Sequence, residues 1–173
     1  MRAIAFLPAL ITTCTLSAAS IPGFAAEERT LTAAAQEFIA KGAEPTLRMC
    51  ALPKPRCGDA KLIGKEDIPG ESNDEKRIAR TISFAGLELG LTIPVKSQRR
   101  YLVAKVEISS SKWPVQRGLH VGQSQTKVLE VLGLPTTETG NCIEYFNEAL
   151  QSSAGFCFAN GRITKIVWER WID

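Results

Sequence analysis

Cys142–Phe146 and Gly155–Ala159 are two short apolar runs, each carrying one cysteine. Paired antiparallel with Cys142 opposite Cys157, they also set Ile143 opposite Phe156 and Tyr145 opposite Ala154. Phe158 then shares the face of Ile143 and Tyr145, while Glu144 shares the face of the cysteines. Side chains alternate along a strand, so a slip of one residue sends every aromatic to the other face. Directly opposed residues at a non-hydrogen-bonded site have Cα atoms about 4.5 Å apart, the short end of disulfide range. The register that gathers the aromatics is therefore the one that joins the cysteines. It predicts a hairpin stapled by Cys142–Cys157.

A further strand is expected at Ile163–Trp171, after the two-residue turn signal Asn160-Gly161. Its region is apolar on both sides: Ile166, Trp168 and Ile172 on one, Ile163, Val167 and Trp171 on the other. A bulge would shift that register. One reading makes this a central strand with a face under a helix. The other leaves Trp171 on an exposed binding face, since tryptophan is enriched in contact hot spots. Both stand for Trp171.

The helix expected to cover these strands lies in Arg117–Pro135, R-G-L-H-V-G-Q-S-Q-T-K-V-L-E-V-L-G-L-P. Ser124 can cap its first turn through a hydroxyl that accepts a backbone N–H. Val128, Val131 and Leu132 make an apolar stripe, with Leu129 on its flank. Gly133 suits the left-handed terminating position, and Pro135 forbids continuation.

Before it, Leu87, Leu89, Leu91 and Ile93 alternate with Glu88, Gly90 and Thr92, the period of a half-buried strand. Pro94–Gln98 makes a turn into a second strand, Arg100–Ile108. Leu102, Ala104, Val106 and Ile108 are expected to face the core, and Tyr101, Val103, Lys105 and Glu107 the solvent. Nearer the N-terminus, Thr30 or Thr32 caps a helix running to about Lys41. Leu31, Ala35, Phe38 and Ile39 form its apolar face, and Gly42 ends it. Gly64–Arg77 is polar and turn-rich, and reads as an exposed connection.

The first residues read as an export signal. Arg2 supplies a minimal positive start, Ala3–Ile11 an apolar stretch, and Gly23-Phe24-Ala25-Ala26 small residues for cleavage after Ala25 or Ala26. A membrane span needs roughly 20 apolar residues, and polar ones intrude by Thr12. Lipid attachment at Cys14 is a further reading, opposed by Thr13 immediately before it. Loss of residues 1–26 removes Arg2 as the only charge, so 21 basic residues become 20 against 18 acidic, and +3 becomes +2. That balance gives no basis for nucleic-acid binding, which calls for a basic patch or stripe.

After the signal, Cys50, Cys57, Cys142 and Cys157 remain, an even number for an oxidising compartment. Cys50–Cys57 is the favoured second disulfide, closing the short loop C-A-L-P-K-P-R-C. A four-thiolate zinc site is disfavoured, since these spacings lack the paired C-x2-C of zinc ribbons. His120 is the single histidine. With oxidised cysteines and no phosphate-cradling loop, nothing selects a nucleophile with its base. The chain is read as a non-enzyme without cofactor or metal.

Arg117–Pro135, followed by F-C-F-A-N-G-R-I-T-K-I, resembles the repeat unit of small envelope modules. These are the SmpA/OmlA-like outer-membrane assembly lipoproteins and the β-lactamase-inhibitor-protein-like domains. The likeness covers roughly Thr81–Asp173. It implies a helical layer on an antiparallel sheet, and either enzyme inhibition or a role in membrane-protein assembly. The residues around Cys14 depart from the lipoprotein branch. Strands feeding Ser109-Ser110-Ser111 in an exported chain of this size also resemble periplasmic immunity proteins of type VI secretion. Those plug a cysteine–histidine peptidoglycan amidase. Serines are small enough for such a cleft and can hydrogen-bond a thiol and an imidazole. Lys112, Trp113 and Pro114 would add charge, aromatic anchor and stiffener. The plain alternative is a polar loop leaving a strand.

The expected fold is α+β. An antiparallel sheet of about five strands packs against a short central helix, with an N-terminal helix and a disulfide loop added. Residues 1–26 are the signal peptide and 27–173 one domain. Within it, 27–80 holds the first helix and disulfide loop, and 81–173 the inhibitor-like sheet-and-helix unit. The expected function is inhibition of a periplasmic hydrolase by occlusion, through Ser109, Ser110, Ser111, Lys112 and Trp113. The sheet face with Tyr101 and Trp171 is the second candidate contact. The alternative is an envelope-assembly or scaffold module of SmpA/OmlA type. A protein partner, no nucleic acid and no membrane span are expected.

Overall fold

The computed structural model describes residues 30–50, 58–69, 76–97 and 101–171. The leader, Cys14 and Cys57 lie outside the described residues, and with them the Cys50–Cys57 link. Among the described residues, no helix is long and apolar enough to cross a membrane.

Thr32 caps α1 (Ala33–Lys41), its hydroxyl accepting from Ala35 N at 3.1 Å. Ala35, Phe38 and Ile39 are the buried face, on the i, i+3, i+4 spacing of one helical stripe. Gly42 follows, and α2 (Glu44–Cys50) continues the helical segment. Then come β1 (Lys61–Ile68), β2 (Arg77–Phe84), β3 (Leu87–Pro94) and β4 (Leu102–Ile108). The third helix, α3 (Gln125–Leu132), precedes β5 (Thr137–Thr139), β6 (Cys142–Asn147), β7 (Ser152–Ala159) and β8 (Arg162–Arg170). The strands form one eight-stranded sheet in the order β1-β2-β3-β4-β8-β7-β6-β5, antiparallel throughout. It consists of two four-stranded meanders joined edge to edge, with Val106 opposite Trp168 and Ile108 opposite Ile166 at the seam.

The expectation of about five strands under a central helix is therefore corrected. Eight strands are present among the described residues, and the middle of the helical layer belongs to α1. Its Phe38 ring stacks on Phe156 of β7 at 5.6 Å and meets Trp168 of β8 at 5.1 Å. The Trp168 indole N–H donates to the Phe38 carbonyl at 3.1 Å. Gly42 makes this approach possible, since a Cβ there would lie 2.9 Å from the Trp168 ring. Burying a large apolar side chain is worth roughly 1.5–3 kcal/mol. The rings of Phe38, Phe156 and Trp168 thus gather where α1 crosses β7 and β8.

α3 lies beside α1. Its expected cap and buried stripe are in place, the Ser124 hydroxyl accepting from Lys127 N and Val128 and Leu132 being buried. But Gly133 ends the helix at φ 83° and ψ −162°, a positive-φ conformation outside the expected left-handed helical one. Thr32 serves both helices, because its hydroxyl also donates to the Leu132 carbonyl at 2.7 Å. The two helices are tied through one side chain.

Within the segment read as an exposed connection, Gly64–Arg77, residues 64–68 belong to β1 and Arg77 opens β2, while 70–75 lie outside the described residues. β1 is an edge strand with nearly every side chain exposed. In β2, Ile78, Ile82 and Phe84 alternate, but Arg80 interrupts the apolar set on that face. Two bulges also move side chains from their expected faces. Ala104 is bypassed in the pairing of β4 with β3, so Val103 packs against the core and Leu102 is exposed. Thr164 is bypassed in β8, which puts Ile163 on the buried face with Ile166.

Between β6 and β7 the register is the expected one: Cys142 faces Cys157, Ile143 faces Phe156, and Tyr145 faces Ala154. A Cys142–Cys157 disulfide joins the strands. Its loop spans a sequence separation of 15 residues, for which chain entropy predicts a contribution of about 3 kcal/mol. Replacing both cysteines by serine is expected to lower the denaturant midpoint by a corresponding amount while the far-ultraviolet spectrum keeps its sheet signature. An unchanged midpoint would contradict the staple's role.

Candidate functional site

The Ser109–Trp113 segment leaves β4 beside the turn that joins β2 to β3. Ser109 N donates to the Gly86 carbonyl at 2.9 Å. Gly86 has φ 79°, and a Cβ there would sit 2.4 Å from the Ser110 Cβ, so only glycine admits this contact. The loop closes on itself. Lys112 N donates to the Ser110 hydroxyl at 3.4 Å, and Trp113 N to the Ser110 carbonyl at 3.3 Å. Beyond it, the Thr46 hydroxyl donates to the Pro114 carbonyl and Gln116 N donates to the Gly42 carbonyl.

Trp113 departs from its expected role. It is only 2% exposed. Its indole N–H donates to the Ala85 carbonyl at 3.0 Å, and its ring meets Phe84 edge-on. Burial of the ring and satisfaction of the N–H are both supplied from within the chain. Trp113 is thus the loop's internal anchor, with no face left for a partner. Ser109, Ser111 and Lys112 remain exposed, and the Lys112 ammonium sits 4.8 Å from the centre of the Trp113 ring.

Tyr101 and Trp171 are 57% and 52% exposed, at the opposite end of β4. Seven residues of strand at about 3.3 Å each separate them from the serines by roughly 20 Å. The structure therefore divides the expected contact residues into two groups. Trp171 lies against Phe146, ring centres 4.9 Å apart, on the sheet face away from the helices.

That outer face also carries a ladder of charges. Lys105 lies 3.3 Å from Glu107 and 3.6 Å from Glu169, and Lys165 lies 3.3 Å from Glu107. Burial alone lowers the Lys105 pKa, but hydrogen bonding and Coulombic attraction to Glu107 and Glu169 outweigh it, leaving the ammonium raised. A lysine with a raised folded pKa contributes stability that is complete below its free value of about 10.4 and fades as pH rises through the folded value.

His120 is exposed, with Nδ1 2.9 Å from the Val121 carbonyl oxygen. The Tyr145 phenol is pushed up by burial, with the nearby Glu138 carboxylate adding to it, and its O–H donates to the Gly133 carbonyl. Among the described residues, no group of three or more His, Cys, Asp or Glu side chains could hold a metal ion. Sequence reasoning missed a cleft where α1 and α2 meet β4, β7 and β8. One signal for it was present. The Cys142–Cys157 register puts Ser152 on the core face of β7 with Ala154, Phe156 and Phe158, an unusual place for a hydroxyl.

No family model and no curated protein matches the chain. Among solved structures, the crystal structure of the uncharacterized protein yfeY from Escherichia coli is similar. It shows 14% sequence identity and a TM-score of 0.36, covering 65% of this chain and 82% of that one.

The anchor role of Trp113 has a direct check. Trp113→Ala removes a buried aromatic, so it is expected to destabilise the protein by about 3–5 kcal/mol in chemical unfolding. A stability change below about 0.5 kcal/mol, the range of ordinary surface substitutions, would show that the ring is not the anchor.

Proposed function

We propose that this chain is a periplasmic binding protein that inhibits a partner enzyme by occluding its active site, with Ser109–Lys112 as the inserted element. The observation that carries the reading is a loop that is exposed at its tip yet held on both flanks. Gly86 and Ala85 accept hydrogen bonds from the two ends of the segment, and Trp113 is locked beneath it. A loop already ordered before binding loses less conformational freedom on association, which favours tight occlusion. Small hydroxyls at the tip suit a narrow polar cleft. The partner class best matched is a peptidoglycan hydrolase of the cysteine–histidine type, by the resemblance to type VI secretion immunity proteins. Export through the N-terminal leader places both proteins in one compartment under this reading.

A second reading, an envelope-assembly or scaffold module, is favoured by a different observation. β1 is an edge strand, and Leu62 and Ile63 on it are exposed. Such an edge suits addition of a partner's strand.

The loop reading is tested at Ser111, because Ser110 packs on Gly86 and a bulky residue there would disturb the fold. A hydrolase co-purified from periplasmic extract is titrated with wild-type protein and with Ser111→Arg, circular dichroism serving as the fold control. Steric overlap and an uncompensated charge in the cleft are expected to abolish inhibition. Full inhibition by a folded Ser111→Arg variant would sink the occlusion model. Loss of partner binding on Leu62→Lys instead would favour the scaffold reading.

A further inference from the structure

The cleft between the helical layer and the sheet lies at the end of β4 remote from the serine loop. It has a cavity volume of about 100 Å³ and is partly open to solvent. Part of its wall is apolar, with Ile39 and Leu47 from α1 and α2 and Val103 and Trp168 from β4 and β8, and charged residues complete the lining. Ser152 stands on the core-facing side of β7, where it lines this cleft and is 4% exposed. Its hydroxyl finds no hydrogen-bond partner among the described residues. A buried, unsatisfied hydroxyl costs about 1–3 kcal/mol, and such groups in native proteins call for an explanation.

The charges beside this hydroxyl are not symmetric. Arg170 is the cross-strand neighbour of Ser152, so both side chains project from the same face of the sheet. Arg170 and Lys41 line the cleft, and neither has an ion-pair partner among the described residues. The acidic residues of the lining are already engaged, Glu44 with Arg48 and Glu169 with Lys105. A net cationic mouth thus stands over an apolar wall with one buried hydroxyl.

The geometry points to a binding site for a small amphiphilic carboxylate. Its anionic head pairs with the Arg170 guanidinium and accepts the Ser152 O–H, and its short alkyl tail lies on Ile39, Leu47 and Val103. The guanidinium fork matches a carboxylate in two parallel hydrogen bonds, which a lysine cannot reproduce. The size fits a short tail. An engineered apolar cavity of about 150 Å³ admits benzene, so this smaller cleft encloses a few carbons and leaves a longer chain protruding.

Hexanoate is the probe, with hexan-1-ol and hexylammonium as neutral and cationic controls of the same length. Isothermal titration of the whole mature protein is expected to give saturable one-to-one binding of hexanoate, with both controls weaker by about tenfold or more. Amide shifts should centre on Leu47, Ser152 and Arg170. Arg170→Gln, a change at an exposed position, should weaken hexanoate by about tenfold while leaving hexan-1-ol unchanged. Ser152→Ala should also weaken hexanoate, and should leave the melting temperature of the unliganded protein unchanged or raise it, because it removes an unsatisfied group. Absence of saturable hexanoate binding, equal affinity for hexylammonium, or an unaltered response in Arg170→Gln would each overturn the site. A lowered melting temperature in Ser152→Ala would also overturn it, by showing that the hydroxyl is already satisfied within the fold.

Discussion

Phe38 is held between Phe156 and Trp168, and the carbonyl of Phe38 accepts from both the Trp168 indole and Gly42 N. This contact fixes α1 against β7 and β8 in position and in rotation. The indole needs a hydrogen-bond partner when buried, and the Phe38 carbonyl supplies it with its second lone pair, the first being taken by Gly42 N. The remaining helical layer follows. Thr32 at the start of α1 fastens the end of α3, and Gly42 at its end takes the chain into α2 and accepts from Gln116. Removing the ring of Trp168 would take away one of the two aromatic contacts of Phe38 and the indole hydrogen bond to its carbonyl, leaving the Phe156 stack to hold α1.

The same arrangement sets two features apart. The serine loop lies at one end of β4, pinned to the β2–β3 turn by Trp113. The apolar cleft lies at the other end, under α1 and α2. Trp113 and Trp168 play parallel parts: each buries its ring, and each donates its N–H to a backbone carbonyl from a distant segment. Both are structural rivets, and neither ring is offered outward. Trp171, the remaining tryptophan, is the one on the surface.

What could be read from the sequence was what depends on near neighbours or on two agreeing constraints. The caps Thr32 and Ser124 act within one helical turn, so their residue types suffice. The β6–β7 register was legible because the cysteines and the aromatics demand the same pairing. β1 was not legible, since an edge strand wet on both faces carries no burial pattern. β2 was hidden by Arg80, which sits among apolar residues on one face. The bulges at Ala104 and Thr164 reverse the alternation midway along strands whose composition gives no warning. The burial of Trp113 depends on Ala85, which belongs to another hairpin. Of the contact residues, the exposure of Ser109 and Ser111 was legible, whereas the packing of Ser110 on Gly86 and the separation of the serines from Tyr101 and Trp171 were not, because these follow from the β2–β3 turn and the direction of β4.

The sheet is continuous, but its two halves differ in how the chain reaches them. Within each meander, successive strands pair with their sequence neighbours. At the seam, β4 meets β8, and everything from Ser109 to Gly161 lies between them. Contacts between sequence neighbours close small loops, whereas the β4–β8 pairing must close a very large one. This junction raises relative contact order, as do the still longer-range contacts of α1 with α3, β7 and β8, and a higher contact order slows folding. The hydrophobic pairs Val106 with Trp168 and Ile108 with Ile166 are the reward for that closure. The sheet can thus be regarded as two locally organised ribbons joined by a four-residue weld, with α1 bound across the second of them.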